Sequence, residues 1–243
     1  MAAEAAIGLV IGGSDWSESS RIVTLFTREW GKVRALAKGG RRLRSNFEIA
    51  FDLLTVCRVM VIRKSQSGLD LLTEARVEER FSVLRRRLAA LYVGYYMAEL
   101  LTEGTQEYDP HPALFDRAVA QLRALEQGMA PLQVASEFEL AWLAELGYRP
   151  RVDACAVCGG RAEGEVLWSP SAAGMVCRHC RAEARGAVRL TSASWQWLQA
   201  QSSGQPAGNL TSWPADLRAA LSLTVTHVLG RRPKMLRYVD GPS

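Results

Sequence analysis

Histidine is scarce in this chain of 243 residues: His111, His179 and His227 are all there are. They lie in a proline-flanked loop, a cysteine turn and a helical stretch, so a histidine general base is scarcely available. The phosphate loop Gly-x-x-x-x-Gly-Lys-Ser/Thr, the dinucleotide fingerprint Gly-x-Gly-x-x-Gly, His-Glu-x-x-His and Gly-x-Ser-x-Gly are all missing, which removes the common nucleotide, metalloprotease and serine-hydrolase chemistries. No uninterrupted apolar run approaches the ~20 residues a bilayer crossing needs. The first thirteen residues carry Glu4 and no Lys or Arg, unlike a secretory leader with its basic start, so the expected location is cytoplasmic. Five cysteines are too few for a disulfide scaffold, and in a reducing compartment spaced pairs more often hold metal.

Hydrophobic residues at 48% and charged residues at 23% are ordinary globular usage, which excludes disordered and collagen-like chains and leaves room for one or two domains. The formal charge is +5 and the isoelectric point about 9.1, an excess whose meaning depends on where the bases sit.

Short apolar runs bounded by Gly, Ser and charge predict five strands, at 6–12, 21–27, 31–37, 53–62 and 69–77. A longer basic connection with Phe47, Ile49 and Phe51 follows the third. Five strands with that long connection suit a Greek-key barrel of the OB type; an SH3-like barrel and a small sandwich have the same strand count. From Glu78 the period changes: Phe81, Leu84, Leu88, Leu91, Tyr92, Tyr95 and Leu100 fall at helical steps and predict one long helix. Further helices are expected at 113–127, 132–146, 192–201, behind a serine cap, and 215–229, with Pro214 near its first turn. The fold class is α+β: an N-terminal OB-type β-barrel over 1–79, a helical domain over 80–150 and 184–243, and an inserted four-cysteine zinc ribbon over 151–183.

The ribbon rests on Cys155-x-x-Cys158 and Cys177-x-x-Cys180, separated by eighteen residues. Each Cys-x-x-Cys turn directs two thiolates to one side of a tight loop, and two such turns fill the four corners of a tetrahedron. A catalytic zinc keeps one corner open for water; four sulfurs leave none, so the Zn2+ expected here is structural. Gly159, Gly160 and Gly174 supply backbone freedom for the turns, and Val166 to Trp168 suit one strand of a hairpin. Cys57, within a strand, reads as a small buried hydrophobe.

The charge excess is concentrated. Between positions 21 and 44 stand Arg21, Arg28, Lys32, Arg34, Lys38, Arg41, Arg42 and Arg44 against the single acid Glu29. Alternation on the third strand puts Lys32 and Arg34 on one face and Val33, Ala35 and Ala37 on the other, a positive row beside a buried one. Such a row, extended through Lys38 and Gly39-Gly40, matches the repeating phosphates of a nucleic acid. Trp16, Trp30, Phe47 and Phe51 flank it; Phe47 and Phe51 are expected to pack inward, and Trp30 is the first choice for stacking on a base. Arg85 to Arg87 and the Arg231, Arg232, Lys234 cluster rank second.

The run Trp16-Ser17-Glu18-Ser19-Ser20-Arg21-Ile22-Val23-Thr24-Leu25-Phe26-Thr27, then Gly31 and Ala37-Lys38-Gly39-Gly40-Arg41-Arg42, resembles the bacterial recombination mediator family RecO. The likeness continues through Leu146-Gly147-Tyr148-Arg149-Pro150, Cys155 to Gly159 and Gly174 to Cys180. It implies a non-enzymatic DNA repair and recombination protein of the cytoplasm, associated with the nucleoid, that binds single- and double-stranded DNA and anneals complementary strands. It also implies help in loading RecA onto strands coated by single-strand-binding protein, with RecR and the acidic tail of single-strand-binding protein as partners. The family's basic barrel surface corresponds here to Lys32, Arg34, Lys38, Arg41, Arg42 and Arg44, and its zinc ligands to Cys155, Cys158, Cys177 and Cys180. Some members lack these cysteines, which makes zinc a device of stability. The competing reading is an adaptor whose basic barrel docks an acidic protein tail and touches DNA only incidentally.

Overall fold

The structure, a computed structural model, describes residues 2–39, 47, 51–63, 69–161, 164–184, 186–205 and 212–241. The chain forms two compact units, Met1–Pro131 and Leu132–Ser243, a division that falls inside the stretch expected to be helical.

The first unit begins with β1 (Glu4–Asp15), β2 (Arg21–Thr27), β3 (Gly31–Ala37), β4 (Val56–Ile62) and β5 (Asp70–Glu79). They close into a barrel in the order β1-β2-β3-β5-β4, antiparallel throughout except that β5 runs parallel to β3. A simple meander would pair β3 with β4. The long connection instead carries the chain across, so that β4 returns to β1 and β5 fills the gap, the Greek-key order of an OB barrel. Alternation works as expected on β3: Val33, Ala35 and Ala37 are buried, and Ala35 and Ala37 meet Val10, Val23, Leu25, Val59, Val61 and Leu72 in one core. Phe47 and Phe51 join this core from the connection, their rings stacked with centroids 5.2 Å apart.

The β3–β5 pairing spans only Ala35 to Ala37, leaving the first half of β3 without a strand partner on that side. The loop after the first helix closes it: Tyr108 N donates to Lys32 O at 3.0 Å, and Glu107 bridges Lys32 in parallel. Gly31 is required there, since it sits at φ +72° and a Cβ would lie 2.0 Å from the Asp109 carbonyl oxygen.

That helix, α1 (Leu88–Gly104), is followed by α2 (Pro112–Glu126). The single long helix expected from Glu78 does not form. β5 runs on to Glu79, a 3-10 turn covers Leu84–Arg86, and α1 starts at Leu88. Phe81 and Leu84 are buried as their spacing suggested, yet the segment is tied across the barrel rather than along a helix axis. Arg80 reaches Asp52 at 2.7 Å, Arg85 reaches Leu53 O at 2.7 Å, and the Glu126 carboxylate accepts from Val83 N and Leu84 N. Where Gly94 of α1 faces Leu54, a Cβ would lie 2.6 Å from the leucine Cδ1, so the lack of a side chain sets how closely helix and barrel approach.

The second unit holds α3 (Pro131–Glu145), the antiparallel sheet β7-β6-β8 (β6 Val166–Ser169, β7 Gly174–Cys177, β8 Val188–Leu190), α4 (Ser192–Ser203), α5 (Ala215–Leu229) and the short α6 (Leu236–Val239). Residues 166–168 do form one strand of a hairpin; β8 and α6 were not foreseen. The cap of α4 is Thr191, whose hydroxyl accepts from Ser194 N, not a serine. Trp168, Met175, Leu190, Trp197, Leu217 and Leu221 form the core of this unit, and the Trp168 indole donates to Thr224 Oγ1 at 2.8 Å. Arg218 is also buried: it makes two bonds to the Glu139 carboxylate, at 2.6 and 3.1 Å, and reaches Ser136, Ser222 and Asp240.

Candidate functional site

Two tight turns and a hairpin bring the four spaced cysteines together. The backbone around residue 151 clips onto β7: Arg151 N donates to Ala173 O, Met175 N to Arg151 O, and Ala156 N to Met175 O. Gly174, at φ +148°, allows this, because a Cβ would stand 2.3 Å from Arg151 O. The first turn closes on itself, with Cys155 N donating to Gly160 O and Gly159 N, at φ +73°, donating to Cys155 O. The second begins where β7 ends at Cys177. The result is that the Sγ atoms of Cys155, Cys158, Cys177 and Cys180 all lie within 4.8 Å of one another.

This set can hold a metal ion. With metal–sulfur bonds of about 2.3 Å, a tetrahedron of thiolates has edges of about 3.8 Å; Cys158 Sγ and Cys177 Sγ stand 3.9 Å apart. Burial pushes the Cys155 thiol up, but amide donation from Cys158, Cys177 and Val157 outweighs it and brings the thiol down to about 6. Cys180 goes the other way, pushed up to about 12 by burial and by the sulfurs of Cys158, Cys177 and Cys155. A divalent cation at the centre favours the deprotonated form of all four, so binding it releases protons. His179, inside the second turn, is exposed and takes no part in the sulfur cluster. Cys57 is buried in the barrel, and burial raises its thiol to about 12, which suits packing and not reaction.

The basic stretch divides by partner. Lys32 is half-buried, and its ammonium donates to Thr102 O at 2.6 Å and Thr105 O at 2.5 Å. Those carbonyls end α1, whose last turn has no basic residue of its own, so Lys32 serves as the cation of that helix terminus. Burial holds its pKa below the usual lysine value. Arg34, two residues on and on the same face, is exposed, as is Lys38 in the turn after β3. Among the described residues neither is in an ion pair. Arg41, Arg42 and Arg44 lie outside the described residues. Arg28 is engaged by Asp116 through two bonds of 2.9 and 3.0 Å, and Arg21 stands 4.0 Å from Asp15. Of the second-rank clusters, Arg85 and Arg87 donate to the carbonyls of Leu53 and Leu125, and Arg232 lies 3.9 Å from Asp240.

The two tryptophans flanking the basic stretch differ in exposure. Trp30 packs against the barrel core, and the Arg63 guanidinium lies over it, 5.9 Å from its centroid and 4.8 Å from that of Tyr108. The Tyr108 hydroxyl donates to the buried Asp70 carboxylate, which anchors the loop to β5. The exposed indole is that of Trp16, 63% accessible at the tip between β1 and β2. Its polar neighbours Ser14, Asp15, Ser17 and Glu18 were the signal for a solvent-facing tip.

Comparison with known proteins places this architecture. The family model described as Recombination protein O N terminal matches residues 1–81, and that described as Recombination protein O C terminal matches residues 85–234. The chain belongs to the RecO family. A protein of Rhodopirellula baltica named DNA repair protein RecO is 34% identical over 266 residues, covering 96% of this chain and 97% of that one. One of the same name from Anaeromyxobacter sp. strain K is 35% identical, covering 96% and 94%. Another, from Myxococcus xanthus, is 32% identical, covering 95% and 94%. The RecO N-terminal match ends at Phe81, two residues past the end of β5, where the chain leaves the barrel. No described helix is long and apolar enough to cross a membrane.

Proposed function

We propose that this chain is a cytoplasmic, non-enzymatic DNA repair mediator that binds single- and double-stranded DNA on its barrel and anneals complementary strands. The observation that carries the reading is the pair Arg34 and Lys38, exposed on an OB-type barrel within a stretch of eight bases and one acid. Arg41, Arg42 and Arg44 extend the set along the sequence, and Lys32 stands behind it as a structural cation. Fixed positive charge lowers the repulsion between two phosphate backbones, after which base pairing completes the joining without nucleotide hydrolysis. Trp16 offers an aromatic face for an unpaired base.

Family membership supports the wider role: loading of RecA onto strands coated by single-strand-binding protein, with RecR and the acidic tail of that protein as partners. Zinc is the ion that suits four thiolates at this spacing, held by Cys155, Cys158, Cys177 and Cys180. It supplies cross-linking of the two turns and, with no open coordination position, no reaction.

The test is binding of a labelled single-stranded oligonucleotide across a salt series. Each phosphate contact contributes about −0.7 to the slope of log K against log salt, so Arg34→Gln with Lys38→Gln should flatten it by about 1.4. Trp16→Ala should weaken binding and leave the slope alone. An unchanged slope in the double variant would refute the barrel surface, and an acidic peptide bound in preference to the oligonucleotide would favour an adaptor.

A further inference from the structure

The four sulfurs of the cysteine module are not equivalent. Cys155 and Cys177 are buried in an apolar cluster with Leu167, Val176 and Ala184, and the half-buried Cys180 packs against it. Cys158 is exposed and stands outside that cluster.

The backbone adds to the difference. Cys177 N donates to Cys155 Sγ at 3.4 Å, which draws electron density from the buried sulfur and shields it on that side. Cys158 is followed by Gly159 and Gly160, so the chain that leaves this cysteine brings no side chain to cover its sulfur. A Cβ at Gly160 would lie 3.4 Å from Cys158 Sγ, in van der Waals contact, and one at Gly159 would meet nothing within 4 Å. The sulfur is therefore open where residue 160 would otherwise stand. A thiolate meets a peroxide as the nucleophile, and exposure decides which of several reacts first, while buried structural sulfurs stay inert. Metal ligation slows all four without making them equal.

The geometry points to Cys158 as an oxidation site, through which hydrogen peroxide converts the cluster from a metal site into a disulfide between Cys158 and Cys177. The Cys158 thiolate takes one oxygen as the O–O bond breaks, giving a sulfenic acid and hydroxide. The Cys177 thiolate, whose sulfur stands 3.9 Å away, then attacks the sulfenic sulfur; the S–S bond forms, the S–O bond breaks and a second hydroxide leaves. The two sulfurs have given up two electrons and the peroxide has taken them. Two of the four ligands are lost together, so the remaining pair releases the ion, and a thiol reductant reverses the change. The device couples the stability of the second unit to peroxide.

The test treats full-length, zinc-loaded protein with graded hydrogen peroxide, then quenches, denatures with chelator and alkylates, so that every surviving thiol is tagged. Cys158 should be the first of the four to escape tagging, and peptide mapping should find it joined to Cys177. Zinc should reach a chromogenic chelator in step with that disulfide, and reductant with added zinc should restore all four thiols. Gly160→Ala keeps the ligand set and puts a methyl group against the Cys158 sulfur. It should slow thiol loss and zinc release several-fold, with zinc content and melting temperature unchanged. If that variant holds no zinc, the order of thiol loss in the wild type decides alone. Loss of another cluster thiol before Cys158, a disulfide other than the one to Cys177, or an alanine variant that holds zinc yet oxidises at the wild-type rate overturns the inference. The inference rests on the reading of these cysteines as a zinc site, and elemental analysis before any oxidant is added tests that reading separately. Zinc-free protein removes both, whereas zinc-loaded protein whose Cys158 outlasts its neighbours overturns this inference and spares the metal.

Discussion

Replacing Arg218 by methionine should destabilise the second unit by about 3–5 kcal/mol, the usual cost of breaking a buried ion pair from one side. Glu139 has no accessible surface, and two of its hydrogen bonds, at 2.6 and 3.1 Å, come from the Arg218 guanidinium. Methionine fills much of the same volume but takes that cation away from the carboxylate in a medium where an uncompensated charge is expensive. Asp240 suffers less: it is 20% accessible and still accepts from the Ser222 hydroxyl. Five of the seven tryptophans, including the buried Trp142, Trp168 and Trp197, lie in this unit, so intrinsic fluorescence in urea follows it. With a denaturant slope of about 2 kcal/mol per molar, the midpoint should fall by roughly 1.5–2.5 M. Adding Glu139→Leu removes both charges together and should restore most of the loss, since a buried pair contributes little beyond what an apolar pair would. A fall below about 0.5 M in the single variant would refute the electrostatic argument. A double variant no more stable than the single one would show that packing around the guanidinium, not charge, carries the effect.

Lys32→Gln should leave the oligonucleotide salt slope unchanged and lower stability by about 1–2 kcal/mol, because it removes a charged donor from two helix-end carbonyls; a slope flatter by about 0.7 would put this side chain on the nucleic acid instead. For the thiols, an alkylating reagent at pH 8 should modify none of the five rapidly in metal-loaded protein, four after chelation and all five only on unfolding; rapid modification of Cys57 in the folded state would contradict its burial. Because burial raises the Cys57 thiol to about 12, between about pH 9 and 12 the folded state holds it protonated while the unfolded chain does not. Its contribution to stability is therefore full below the ordinary thiol range and lost as pH climbs from about 9 toward 12, and Cys57→Ala should flatten that alkaline decline.

Local signals in the sequence found elements whose partners are also local. β2 and β3 lie at 21–27 and 31–37 as read, because a short apolar run and an alternating one with Gly31 at the turn already encode a hairpin. α5 keeps its expected limits, set by Pro214 at one end and Gly230, at φ +68°, at the other. The reading failed where tertiary ties compete with period. Phe81 and Leu84 have helical spacing, but the bonds from Arg80 to Asp52, Arg85 to Leu53 and Glu126 to two amides hold the segment across the barrel. β8, three residues long, is too short to show a period at all, and exists because β6 offers it an edge.

The same distinction runs through the site. Four cysteines in two Cys-x-x-Cys pairs state their purpose within the turns that hold them, and the sulfurs do meet. Alternation on β3 correctly placed Lys32 and Arg34 on one face, yet it says nothing of what stands opposite that face. Lys32 meets the carboxyl end of α1, seventy residues away in sequence, and so becomes part of the scaffold, whereas Arg34 stays in solvent. Trp30 follows the same logic: beside a turn it looked free, but it packs against the barrel core with Arg63 over its ring, while Trp16 is exposed at its tip. A charge or ring is available to a ligand only when no distant element has claimed it. Even a positive row read correctly from periodicity must therefore be divided, residue by residue, between cations that hold the barrel to its helix and cations left in solvent.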